Sequence, residues 1–217
     1  YAAETSPIAQ ILELIRGTDI PVHFGKPSCP RSNELINGAK ARGLQVTADV
    51  AAHQLHLTEM DISSFNSQCH VMPPLRSQRD MEALRHGIEN GVINSICSDH
   101  QPHEADAKLA PFSATEPGIS ALETLLPLSL RLMDNNFMSL SDIIARLTCM
   151  PAKILGINAG TLSIGAKADI CILDPEKYWT LEKDTMLSHG RNTPFIGWEH
   201  KGQVTHTLLD GKLVFEQ

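Results

Sequence analysis

The stretch IPVHFGKPSCPRSNELINGAKARGLQVTADVAAH, residues 20–53, reads as strand, helix, strand. Residues 20–24 are a short apolar run, and a polar turn occupies 25–30. Leu35, Ile36 and Ala39 then recur at helical spacing over 32–41, and Gly43 stands where that helix would stop. Residues 44–50 make the next strand, which ends at Ala52-His53-Gln54. Strands alternating with helices argue for an α/β fold with a parallel sheet and crossover helices.

The alternation continues on both sides. Upstream, Ile8, Ile11, Leu12, Leu14 and Ile15 predict a helix over 7–16, closed by Gly17. Downstream, residues 69–72 read as a short strand ahead of Pro73-Pro74. Residues 79–89 read as a helix broken by Gly91, and 92–97 as a strand leading to Asp99. Beyond Gly118 come a long apolar helix over 119–133, N-cap candidates at 139–142 for a helix over 143–148, and a short helix from Met150 ended by Gly156. From Gly160 the chain turns to glycine and β-branched residues. Strands are expected at 169–173, 204–209 and 213–215, with Asp210-Gly211 as a hairpin signal. The expected division is an α/β part over 1–156 and a small β segment over 157–217.

Polar residues recur just past the C-terminal ends of these strands, where parallel α/β folds place their sites. Ser98-Asp99-His100-Gln101-Pro102-His103 is the densest such cluster. A carboxylate beside imidazoles at the end of a buried strand is costly unless paired or bound to a metal. The plainer reading of Asp99 is an N-cap, and that of His53 a hydrogen-bonded core or surface histidine. His56, His70 and His86 are expected at the surface. Arg76 and Asp80 could pair at i,i+4 on a helix start, and Glu123 is expected to be structural.

Composition narrows the classes. With 18 basic and 25 acidic residues, a net charge of −7 does not favour nucleic acid. Five scattered cysteines without a CxxC pair indicate neither a disulfide framework nor a structural zinc motif, and fit a reducing cytoplasm. The apolar runs fall short of the ~20 residues of a membrane helix. The chain opens Tyr1-Ala2-Ala3-Glu4 and enters a helical pattern at once, which suggests residues upstream of Tyr1.

Six blocks carry a family resemblance: PPLRSQRDMEAL (73–84), SDHQPH (98–103), EPGISALETLLPL (116–128), MPAKILGI (150–157), GTLSIGAKADICILDP (160–175) and NTPFIG (192–197). Together they resemble dihydroorotase of the amidohydrolase superfamily, in the family's order and through essentially the whole chain. The resemblance implies a (β/α)8 barrel, of which this chain would hold the C-terminal half, strands five to eight, plus part of a small β domain. It implies zinc-dependent interconversion of dihydroorotate and N-carbamoyl-aspartate in pyrimidine synthesis. Asp99 would be metal ligand and general acid/base, and His53 a metal ligand. His103 would meet the substrate carboxylate, and the backbone of Pro117 and Gly118 would line the substrate ring. One zinc ion is expected rather than two, or none, and an oligomer rather than a free half-barrel.

Two positions depart from the family. Lys26 stands where the fifth strand usually supplies a histidine ligand, and an ammonium has no lone pair to give a metal. Either Lys26 is a solvated loop residue or its ammonium takes the place of the metal and pairs with Asp99. Met72 stands where the family commonly has an asparagine that touches substrate. These departures resemble dihydroorotase-like chains that have lost catalysis and act as scaffold partners of aspartate carbamoyltransferase. Two functions therefore stand side by side: a cyclic amide hydrolase and a noncatalytic subunit.

Overall fold

The structure is a computed structural model and describes residues 1–217, apart from the side chains of residues 135 and 136. Three parallel strands lie side by side in chain order: β1 (Val22–Phe24), β2 (Val46–Ala51) and β3 (Ser95–Cys97). Val22 is opposite Val46 in the first pair, and Ala51 opposite Cys97 in the second. Between them run α2 (Pro30–Ala41) and α3 (Gln78–Glu89), as the strand–helix–strand alternation predicts.

Helix α1 (Ala2–Leu14) precedes β1. It starts earlier than expected, because Tyr1 supplies the first carbonyl and Pro7 lies inside the helix instead of opening it. Its Ile8, Leu12 and Ile15 pack with Phe24, Ile36, Val46 and Ala48 into one apolar cluster. A second cluster gathers Val50 and Ile96 from the strands, Leu84 and Ile88 from α3, and Leu128 from α4 (Leu122–Leu130). The expected long helix over 119–133 is this shorter α4, continued by a 3₁₀ turn over Arg131–Asn136. Helices α5 (Leu140–Leu147) and α6 (Cys149–Leu155) follow. Ser139 caps α5 by accepting from the Asp142 amide, and Gly156 ends α6 in the left-handed conformation.

The strand expected at 69–72 does not form, so the described parallel sheet has three strands and not four. A 3₁₀ turn, Ser67–Cys69, is capped by Asn66, and Cys69 and Val71 point into the core from irregular chain. Pro73 and Pro74 follow directly and have no N–H to give a ladder.

The second sheet is antiparallel, with β4 (Ile170–Thr180), β5 (Glu199–Leu209) and β6 (Lys212–Glu216) in that order. Asp210 and Gly211 both have positive φ, 49° and 75°, as a two-residue type I′ hairpin turn requires. β4 and β5 run longer than their apolar cores suggest, because pairing extends through charged residues to Thr180 and Glu199.

Other expectations change at the level of side chains. Arg76 and Asp80 do not pair with each other. Arg76 bonds Ser28 and Glu4, while Asp80 closes a capping box with Ser77 and accepts from the Tyr1 hydroxyl. His56 is half-buried, bonded to the Leu128 carbonyl and to Arg85. His70 is half-buried, with its ring on Phe112 and Nδ1 bonded to Thr115, whereas His86 is at the surface as expected. Glu123 is structural: it accepts from the amides of Leu187 and Ser188. No helix among the described residues is long and apolar enough to cross a membrane.

Candidate active site

Three side chains occupy the same place on three adjacent strands. Lys26, His53 and Asp99 each lie two residues past the end of β1, β2 and β3 respectively. Parallel strands that end in register bring such residues to one rim, which is why sequence positions far apart meet here.

The central contact is an ion pair. Lys26 Nζ lies 2.6 Å from Asp99 Oδ1, and the same oxygen accepts from Gln101 Nε2 at 2.9 Å. Both partners are largely shielded, with side chains 27% and 12% exposed, so water screens the pair less than it would at an open surface. Lys26 and Asp99 also have left-handed backbones, φ 54° and 48°, in a region that non-glycine residues enter at a cost of order 1–3 kcal/mol. What holds Lys26 there is Asp49 of β2, whose Oδ1 accepts from the Lys26 amide at 2.8 Å. Asp49 Oδ2 faces His23 Nε2 at 3.2 Å, and His23 Nδ1 meets Thr47.

His53 is fully buried, and neither ring nitrogen has a partner among the protein groups. Burial pushes its imidazole down to about 4; the nearby Asp99 carboxylate opposes this shift and the Lys26 ammonium adds to it. His53 is therefore neutral at physiological pH. Burial also pushes the Cys97 thiol up to about 12, with Asp49 and Asp99 adding to the shift.

The second part of the site is a latch over residues 99–118. His103 Nε2 donates to the Pro117 carbonyl at 3.0 Å. Buried Asn192 joins three chain segments: its Oδ1 accepts from the His103 amide, and its Nδ2 donates to the carbonyls of Gln101 and Gly118. Gly118 has φ 136°, and a Cβ there would lie 2.5 Å from the Gln101 Cβ, so only glycine fits. His103, Pro117 and Gly118 are thus brought together, and Asp99 joins them through Gln101. Met72 is exposed, and its carbonyl lies 3.5 Å from Lys26 Nζ.

Asp49, Gln101 and Asn192 escaped the sequence-based expectations. A charge inside a strand as buried as β2 was the available signal for Asp49. Gln101 and Asn192 lie within SDHQPH and NTPFIG, but nothing in either block says what they touch.

The donor set does not make a metal centre. Among the described residues no three His, Cys, Asp or Glu side chains converge as an ion would need, and the Asp99 oxygen that faces the rim is already bonded to a cation and an amide. His53, with both ring nitrogens unpaired, and the second Asp99 oxygen keep lone pairs free.

Comparison with known proteins gives these features a context. The model of the amidohydrolase family matches residues 9–214. A dihydroorotase-like protein of Pseudomonas aeruginosa is 46% identical over 99% of this chain and 50% of its own length. A dihydroorotase of Geobacter metallireducens is 39% identical over 100% of this chain and 51% of its own. Among solved structures, the L-hydantoinase (dihydropyrimidinase) from Arthrobacter aurescens superposes with a TM-score of 0.91 at 28% identity, covering 98% of this chain and 48% of that one. The chain spans about half the length of the curated relatives it matches. It belongs to the amidohydrolase family, and the relatives it resembles along its whole length include dihydroorotases and dihydroorotase-like proteins.

Proposed function

We propose that this chain is the C-terminal half of a dihydroorotase-type protein. Its parallel strands would be consecutive members of a (β/α)8 barrel within residues 1–156, and residues 157–217 would be its share of a small β domain. The site would receive dihydroorotate or N-carbamoyl-aspartate, with His103 at the ligand carboxylate and the backbone of Pro117 and Gly118 along the ring. The Asn192 latch supports this reading, because it fixes those three residues relative to Asp99.

The observation that supports binding over turnover is the Lys26–Asp99 ion pair. Amidohydrolases of this kind generally depend on zinc, and an ammonium bonded to the aspartate takes the place of a cation that activates water. We therefore read the protein as a noncatalytic dihydroorotase-like subunit that partners aspartate carbamoyltransferase in an oligomeric assembly. Its five cysteines, all free, support a cytoplasmic setting. The enzyme reading keeps one supporting observation: buried His53 has both nitrogens unpaired, as a zinc ligand awaiting its ion would. In that reading Asp99 is ligand and general acid/base beside a single zinc.

The test expresses the full-length protein with and without aspartate carbamoyltransferase and measures bound zinc, dihydroorotate hydrolysis and co-purification together. Co-purification with substoichiometric zinc and no hydrolysis is expected. Stoichiometric zinc with turnover would establish the enzyme instead.

A further inference from the structure

We infer that Lys26 is a tethered cation that makes this rim independent of metal, and that this one side chain is what keeps a metal off Asp99. The inference rests on the family reading above but not on which ligand the site receives. Four observations carry it. The ammonium is bonded directly to Asp99 Oδ1, one of the two carboxylate oxygens a metal could use. Gln101 Nε2 fills a further lone pair of the same oxygen, so that atom is satisfied without an ion. Lys26 is not a loose loop residue reaching across: its left-handed backbone is clamped by the Asp49 carboxylate, which His23 in turn contacts. And His53, on the strand between them, is buried with both ring nitrogens unpaired, so one neutral donor remains beside the ion pair.

The arrangement has a chemical consequence. A histidine at position 26 would start from the same clamped backbone and would offer a lone pair where the ammonium offers a proton. Together with His53 and the freed Asp99 oxygen it would supply two imidazoles and a carboxylate from three adjacent strand ends, the donor set of an open zinc-type site.

The test compares the full-length wild type with Lys26→His, Lys26→Met and the double variant Lys26→His/Asp99→Asn. Each is titrated with cobalt(II), read by its visible ligand-field absorption and by metal content after gel filtration. Lys26→His is expected to hold about one more cobalt per chain than wild type, and the double variant to lose that extra ion. Lys26→Met, which removes the cation without offering a ligand, should gain none and should melt at a lower temperature than wild type. Equal cobalt in wild type and Lys26→His would overturn the inference. Should Lys26→His fail to fold, wild-type crystals grown with zinc decide the matter by anomalous scattering. No peak at bonding distance from Asp99 Oδ1 is expected, and a zinc there sinks the idea. These readouts use no substrate, so failure of the ligand or partner reading leaves them unaffected.

Discussion

Asn192 shows how much of the site depends on one neutral side chain. Its amide gives two hydrogen bonds and takes one, tying residues 101, 103 and 118 to a segment some 75 to 90 positions away in sequence. Replacing it by alanine leaves two carbonyls and one amide without partners in a buried place, at roughly 1 kcal/mol or more for each. Asn192→Ala is expected to lower stability by about 2–4 kcal/mol in urea unfolding. Asn192→Asp should be at least as damaging near neutral pH, because a carboxylate would face the two carbonyls that now accept from Nδ2. An Asp variant as stable as wild type would contradict the latch. At this scale the sequence singled out Asp99, His53 and His103 as candidates but not their partners, because a hydrogen bond across such a separation leaves no local pattern.

Among the elements, α3 is the best defined by its own residues. Ser77 accepts from the Asp80 amide, and Asp80 accepts from the Ser77 amide and hydroxyl, so the helix start is closed reciprocally. Ser77→Ala should cost about 1 kcal/mol, measured by chemical denaturation. Asp80→Ala should cost more, because the buried carboxylate also takes the Tyr1 hydroxyl and so ties α1 to α3. From the sequence, Arg76 and Asp80 were expected to pair with each other at this helix start. Tertiary contact decided otherwise: Glu4 of α1 draws Arg76 away, and its carboxyl is held below the usual range because the hydrogen bonds from Ser28, Ser32 and Arg76 outweigh its burial.

For the molecule as a whole, packed histidines set the response to acid. Burial pushes His56 down to about 3 and His200 down to about 4. His56 Nε2–H donates to the Leu128 carbonyl, which leaves Nδ1 as acceptor toward Arg85; a second proton would face that guanidinium. Arg131 also opposes charge on both rings. Both histidines bind a proton more readily unfolded, near pH 6.5, than folded. Between pH 6.5 and about 4 the unfolded chain therefore holds more protons, and stability falls as pH falls. Unfolding free energies from urea titrations between pH 7.5 and 4.5 should decline by a few kcal/mol in total, and His56→Gln should flatten part of that slope. A profile unchanged by His56→Gln would remove His56 from the account. Large apolar side chains such as Leu14, Ile20, Leu162 and Val214 stay exposed, in line with a chain that spans half the length of its relatives.

The sequence by itself determined the alternation of strand and helix, the Asp210-Gly211 hairpin, the cap of α5, and the recurrence of polar residues past the strand ends. Each of these is written in spacings of a few residues, within reach of local propensity. The family resemblance also marked Lys26 as a departure. Only the tertiary structure decided that the ammonium is bonded to Asp99, that residues 69–72 are not a strand, that His56 is half-buried, and that Asn192 closes the latch. Those outcomes depend on which strand ends and loops are brought together in space, and a linear pattern does not encode the distance between residues 26 and 99.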